Sequence, residues 1–252
     1  MFKDRLKKFI NYFGYDIQKI DKNIKRLSFD DILNLKTENK KPMIFDVGAN
    51  IGQSIERFKN IFPVSSIHSF EPGISEFLQL KEKYNNATDI FLNNIGIGEK
   101  ITKRDFYCAA KSETSSFIKI SKNTSWIKSR SKEFNTSVQN YSKKVPKISI
   151  DTIDNYCKNN SIEFIDILKI DTQGYEVNVL EGAKNTLKKK KISIIETELI
   201  LDDVYEKHAT FFQIEKYLIP NNYRLVAVKP MNYNNFFEGN IFVVDLIYIL
   251  NQ

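Results

Sequence analysis

Four acids stand where an apolar run gives way to a turn: Asp46, Glu71, Asp171 and Glu196. Ligands of open α/β sheets bind outside the carboxyl ends of the strands, so an acid at such an end is placed for chemistry. The surroundings of the first are the most informative. Met43-Ile44-Phe45-Asp46-Val47 runs into Gly48-Ala49-Asn50-Ile51-Gly52, and from Ser54 to Phe62 the residues Ile55, Phe58, Ile61 and Phe62 recur at helical spacing. Strand, tight turn and helix open a nucleotide-binding α/β domain. The turn departs from the dinucleotide fingerprint Gly-x-Gly-x-x-Gly: Asn50 and Gln53 replace the second and third glycines, which let backbone approach a pyrophosphate. The phosphate loop Gly-x-x-x-x-Gly-Lys-Ser/Thr is absent here too. The turn therefore suits a ligand with a nucleoside and no phosphates.

The second acid agrees with that reading. Ser66 to Phe70 predicts a short strand that Pro72 stops, and Glu71 lies about twenty residues past the turn, where an acid meets a ribose. A carboxylate accepts both hydroxyl protons of a cis-diol. A third strand, Asp89 to Asn94, ends in Asn94, a candidate for facing an adenine.

At these residues the chain resembles a known group. Asp46-Val47-Gly48-Ala49-Asn50-Ile51-Gly52 and Phe70-Glu71-Pro72 look like the first two motifs of S-adenosylmethionine-dependent methyltransferases. Ile167-Leu168-Lys169-Ile170-Asp171-Thr172-Gln173-Gly174-Tyr175-Glu176, followed by Val179-Leu180-Glu181-Gly182-Ala183, resembles the signature of the FkbM-type family. The resemblance runs roughly from Pro42 to Val244 and leaves out residues 1–40 and 121–144. It implies a Rossmann-like class I methyltransferase fold, a seven-stranded mostly parallel sheet with an antiparallel last strand, and S-adenosylmethionine as cofactor. It also implies O-methylation of a sugar, nucleotide-linked sugar or glycan precursor. N-methylation of a phosphorylated small molecule and a non-catalytic nucleoside-binding module are the alternatives.

The implied chemistry is an in-line displacement on an activated donor. The protein mainly positions the reactants, which is worth about 7–11 kcal/mol. A base adds roughly 10²–10⁴-fold when the acceptor is a hydroxyl. Asp46, Gly48, Asn50 and Gly52 are expected to shape the methionine end of the pocket, Glu71 to take the ribose, and Asn94 and Ser115 to lie beside the adenine. Asp171 is expected at the reacting centre, orienting the donor's ammonium or the acceptor. Glu196 and Glu198 lie two apart on one predicted strand, so they share a face, and one of them points to the acceptor. His208 is a candidate base, although a histidine in so polar a stretch is usually a surface residue. Strand-end carboxylates are common without a metal, and no metal site is expected.

Composition is compatible with this. The chain has 252 residues, the size of one large α/β domain, and 42% are hydrophobic. The net charge of +7 favours an anionic or nucleotide-linked acceptor. No basic stripe interleaved with aromatics suggests nucleic acid. No run reaches membrane-span length, the start lacks a secretory pattern, and the two cysteines, Cys108 and Cys157, have no metal-ligand spacing. A cytoplasmic protein is the expectation.

The elements that must position these residues are a helical extension over 1–40 and a single methyltransferase domain over 41–252. The extension reads as a buttress on the sheet, with a homodimer contact or a membrane-surface helix as alternatives. Strands are predicted over 164–170, 192–198, 222–228 and 240–244, and one helix over 175–190. The lysine-rich stretch 121–144 has poor periodicity and reads as a loop. It is the candidate acceptor lid, with Trp126 and Tyr141 available to stack on a sugar or base.

Overall fold

The computed structural model of the chain describes Tyr12, residues 27–231 and residues 241–251. The expectation for residues 1–40 therefore lies mostly outside the described residues. Within them, α1 (Phe29–Lys36) starts at a capping box: the Ser28 hydroxyl accepts from the Asp31 amide, and the Asp31 carboxylate accepts from the Ser28 amide.

Among the described residues ten strands form two sheets. Seven of them, β1 (Met43–Val47), β2 (Ser66–Phe70), β3 (Ile90–Asn93), β7 (Ile165–Ile170), β8 (Ile192–Ile200), β9 (Tyr223–Met231) and β10 (Val243–Leu250), lie in the order β3-β2-β1-β7-β8-β10-β9. β10 runs antiparallel to both of its neighbours, β8 and β9, as the last strand was expected to do. It begins at Val243, three residues later than the run from Asn240 suggests, and extends to Leu250.

Helices cover both faces, as a mostly parallel sheet requires. On one face Ile44, Ile67, Ile167, Ile194 and Ile247 pack against Leu33 of α1, Ile55 and Phe58 of α2 (Gln53–Ile61) and Leu80 of α3 (Ile74–Lys83). On the other, Phe45, Leu168, Ile170 and Ile195 meet Ile153 of α5 (Ile153–Asn159), Val179 and Leu180 of α6 (Glu176–Gly182), Leu187 of α7 (Lys184–Lys188) and Ile214 of α8 (Phe211–Leu218).

The single helix expected over 175–190 is two. The first ends at Gly182, where a side chain would meet the Gly98 carbonyl oxygen at 2.0 Å, so only glycine fits this close approach. Asp154 then accepts from the amides of Asn185 and Thr186 and restarts the helix.

A second, three-stranded sheet sits over the carboxyl ends of the first. It orders β4 (Gly96–Ile97), β6 (Ser142–Asp151) and β5 (Thr102–Ala109) as β4-β6-β5. Between β5 and β6 lies α4 (Ser125–Glu133), where a loop was expected. Thr124 caps it, and Trp126 and Ile127 are buried in a cluster with Tyr141, Ile200, Tyr205 and Phe242. The apolar stripe was hidden because a short helix with few inward side chains shows little periodicity among so many lysines.

Candidate active site

Strand order reverses between β1 and β7, and at that switch point a cavity of about 360 Å³ opens. Its walls come from Val47 to Asn50, Phe70 and Glu71, the 111–115 segment, Asp171 to Gln173, and Trp126 with Phe242. Its size is that of a small-molecule site.

The turn after β1 is built by backbone. Gly48 (φ 89°) and Asn50 (φ 49°) are left-handed. A side chain on Gly48 would strike the Asp171 carbonyl oxygen at 1.8 Å, so glycine here lets the ends of β1 and β7 close on each other. The amides of Gly48 and Ala49 donate to the Phe70 carbonyl, at 3.0 and 3.1 Å. Gly52 (φ 95°) precedes α2 and faces Leu80 and Tyr84, away from the cavity lining.

Glu71 is nearly buried and lines the cavity. One carboxylate oxygen accepts from the Asn50 amide at 2.8 Å and the other from the Gly73 amide at 2.7 Å. Burial pushes its pKa up to about 7 against the pull of those two bonds. Each oxygen keeps a further lone pair, so a fixed acceptor is available for a ribose diol. Asn94 is not on the lining; its amide donates to the Glu71 carbonyl and holds the strand end. Ser115 lines the cavity, but its hydroxyl accepts from the Ala109 amide.

Neighbouring strands bring charge together in rows. Asp46, Lys169 and Glu196 are register partners across β1, β7 and β8 and share one face of the sheet. Asp46 is fully buried below the lining, 3.7 Å from the Lys169 ammonium, and burial lifts its carboxyl to about 6. Burial disfavours the charge on Lys169, but Asp171, Asp46 and Glu196 outweigh it and hold the ammonium protonated. Glu196 is also off the lining and turns to Arg57 instead.

The next row, two residues nearer the cavity, contains Asp171 and Glu198, with Asp245 of β10 opposite Glu198. Lys169 lies 3.1 Å from Asp171. Asp171 and Glu198 both line the cavity and are bridged by the Gln173 side-chain amide, at 2.9 and 2.6 Å. Burial, with the charges of Asp171, Glu176 and Asp245, raises the Glu198 pKa well above the carboxylate range. Among the described residues no group of three or more His, Cys, Asp and Glu side chains is arranged to hold a metal ion.

Sequence reasoning missed Gln173, Arg130 and the role of Glu176. Glu176 is buried, and one of its carboxylate oxygens accepts from the Thr172 amide, the Thr172 hydroxyl and the Gly174 amide, which pins the turn after β7. Its spacing from Gly174 was the available signal. His208 does not line the cavity; its Cβ packs on Gly174. His68 is buried, bonds Tyr156 at 2.8 Å and stacks on Phe91, and burial lowers its pKa to about 4.

A nucleoside-sized cavity at a switch point, a fixed acid for a diol and a floor of acids suit a donor that carries a cationic sulfur. Known proteins agree. The 2-O-methyltransferase NoeI of Sinorhizobium fredii (strain NBRC 101917 / NGR234) is 26% identical over 171 residues, 67% of this chain and 68% of the relative. A crystal structure of methyltransferase FkbM from Methylobacillus flagellatus KT superposes with a TM-score of 0.53 at 14% identity. That match covers 83% of this chain, and this chain spans 44% of the other; at that identity the likeness concerns the fold. The model of the methyltransferase FkbM domain matches residues 46–225. The chain therefore belongs to the FkbM-type methyltransferases, whose cofactor is S-adenosylmethionine.

Proposed function

We propose that this chain O-methylates a hydroxyl of a sugar, nucleotide-linked sugar or glycan precursor, in the cytoplasm. The observation that carries this reading is the composition of the cavity's outer wall. Trp126 and Phe242 stack on each other within the buried cluster, with centroids 6.5 Å apart and planes 12° apart, and both border the cavity. The Arg130 guanidinium lies 6.0 Å from the Trp126 ring centroid, and Lys111 lines the same cavity. An apolar aromatic border suits the C–H surface of a sugar, and cations suit a phosphate or carboxylate linked to it. The relative named as a 2-O-methyltransferase supports oxygen as the atom methylated.

In this reading Glu71 holds the ribose hydroxyls, the Gly48–Asn50 turn and Asp171 hold the amino-acid end, and α4 with its flanking residues is the acceptor-facing wall. The bound donor supplies a methyl group already activated by positive sulfur. The residues of the chain orient the two reactants and exclude water, which is where most of the rate comes from. Methyl transfer from labelled S-adenosylmethionine to a panel of methyl glycosides and nucleotide sugars tests the proposal. A methylated hydroxyl, located by mass spectrometry, is the expected result. Transfer to amines only would favour N-methylation, and donor binding without transfer to any panel member would favour the binding module.

A further inference from the structure

We propose that Glu198 is the catalytic base that takes the proton from the acceptor hydroxyl, and that Gln173 is the residue that positions it; this rests on the O-transfer reading above. Glu196 and Glu198 share one face of β8 and have opposite fates. Glu196 is clasped by the Arg57 guanidinium and lies off the cavity lining. Glu198 is one pleat nearer the carboxyl end and lines the cavity, and among the described residues it forms no ion pair. A carboxylate tied to arginine is a poor base, whereas one without a cation partner can receive a proton.

Gln173 fixes where that carboxylate sits. Its side-chain nitrogen donates one hydrogen to Asp171 at 2.9 Å and the other to Glu198 Oε2 at 2.6 Å. Its side-chain oxygen lies 3.1 Å from the Tyr205 hydroxyl, which also reaches the Thr114 carbonyl at 2.9 Å. Two carboxylates on one side and a hydroxyl on the other leave the amide a single sensible orientation. The backbone at Gln173 is left-handed (φ 57°), followed by Gly174 (φ 93°), and Glu176 staples that turn. A non-glycine residue held in this conformation signals a position the surroundings enforce. The geometry leaves Glu198 Oε1 as the oxygen that accepts the proton.

The step balances. The hydroxyl proton moves to Glu198 as oxygen bonds to the methyl carbon, and the carbon–sulfur bonding pair stays on sulfur. A sulfonium and a carboxylate become a neutral thioether and a neutral carboxyl. Asp171, Glu176 and Asp245 face Glu198 with negative charge, Lys169 with positive charge, and Tyr205 is buried against the group, so its basicity reflects all five.

The test compares wild type, Glu198→Gln and Gln173→Ala on methyl glycosides and their aminodeoxy counterparts, with S-adenosylhomocysteine as a binding probe. Glu198→Gln is expected to cut kcat on hydroxyl acceptors by about 10²-fold or more while S-adenosylhomocysteine affinity holds. Gln173→Ala removes a donor from Glu198, so the rising limb of the rate–pH profile should move to higher pH, which a purely structural role would not do. Infrared spectra of the S-adenosylhomocysteine complex between acid and alkaline pH should contain, beside the bands of Asp46, Glu71 and Glu176, one protonated-carboxyl band that is lost in Glu198→Gln. A wild-type rate on hydroxyls in Glu198→Gln overturns the assignment while leaving O-transfer intact. Transfer only to the aminodeoxy panel, undiminished in Glu198→Gln, overturns O-transfer and the need for a base with it. If neither panel is methylated, the infrared comparison decides, and spectra of wild type and Glu198→Gln that contain the same carboxyl bands overturn the proposal.

Discussion

Arg57 clasps Glu196 with two hydrogen bonds, Nη1 to Oε1 at 2.5 Å and Nη2 to Oε2 at 3.1 Å, while its Nε reaches Asp30 at 2.6 Å. One side chain thus ties α1, α2 and β8 together. Arg57→Ala strands a buried carboxylate, and we expect it to destabilise the fold by roughly 1–3 kcal/mol; the upper end is discounted because Arg57 is partly exposed. Adding Glu196→Gln should recover part of the loss. Urea denaturation of the single and double variants checks both statements, and a neutral Arg57→Ala would refute the structural role.

Glu71→Ala should weaken S-adenosylhomocysteine binding by roughly 1–3 kcal/mol, the cost of leaving ribose hydroxyls unpaired. The wild-type affinity should also depend on pH. The ligand favours ionised Glu71, whose pKa in the free protein is about 7, so affinity should fall as pH drops below that value. Calorimetry from pH 8 to pH 6 measures it; a flat profile would mean that the diol is held elsewhere.

Glu176 makes a stability prediction. Burial raises its pKa from the ordinary 4.5 to about 7 in the folded chain. A raised carboxyl contributes its full stability below 4.5 and loses it as pH rises through 7, by up to about 3 kcal/mol. Glu176→Gln removes this dependence. Its stability relative to wild type should therefore grow between pH 5 and pH 8, as read by denaturant titration at each pH. A constant difference would show that Glu176 titrates normally.

Arg130→Lys tests the outer wall. The guanidinium packs near the Trp126 ring and bonds Glu133 at 2.6 Å, and lysine offers neither a planar face nor a fork. The acceptor KM should rise several-fold, with S-adenosylhomocysteine affinity unchanged. Equal losses in both would assign Arg130 to packing alone.

The sequence by itself determined the local pieces that depend on neighbours along the chain. A strand, a turn with two glycines and an amphipathic helix, and then an acid at the next strand end, were legible because apolar period and turn chemistry are written over ten or twenty residues. The seven-stranded, mostly parallel sheet with an antiparallel last strand followed from the resemblance, while the order of its strands is seen only in the structure. Only the tertiary structure decided which acids meet the cavity. Glu196 and Glu198 share a face and a residue type, and the sequence offers no reason to separate them. Arg57, 139 residues away from Glu196, makes the separation by neutralising one of the two. Tyr205 and Gln173, 32 residues apart, do the same for the other by setting an amide. Charge state and aim are properties of what packs alongside, and partners so distant along the chain leave no periodic trace to read.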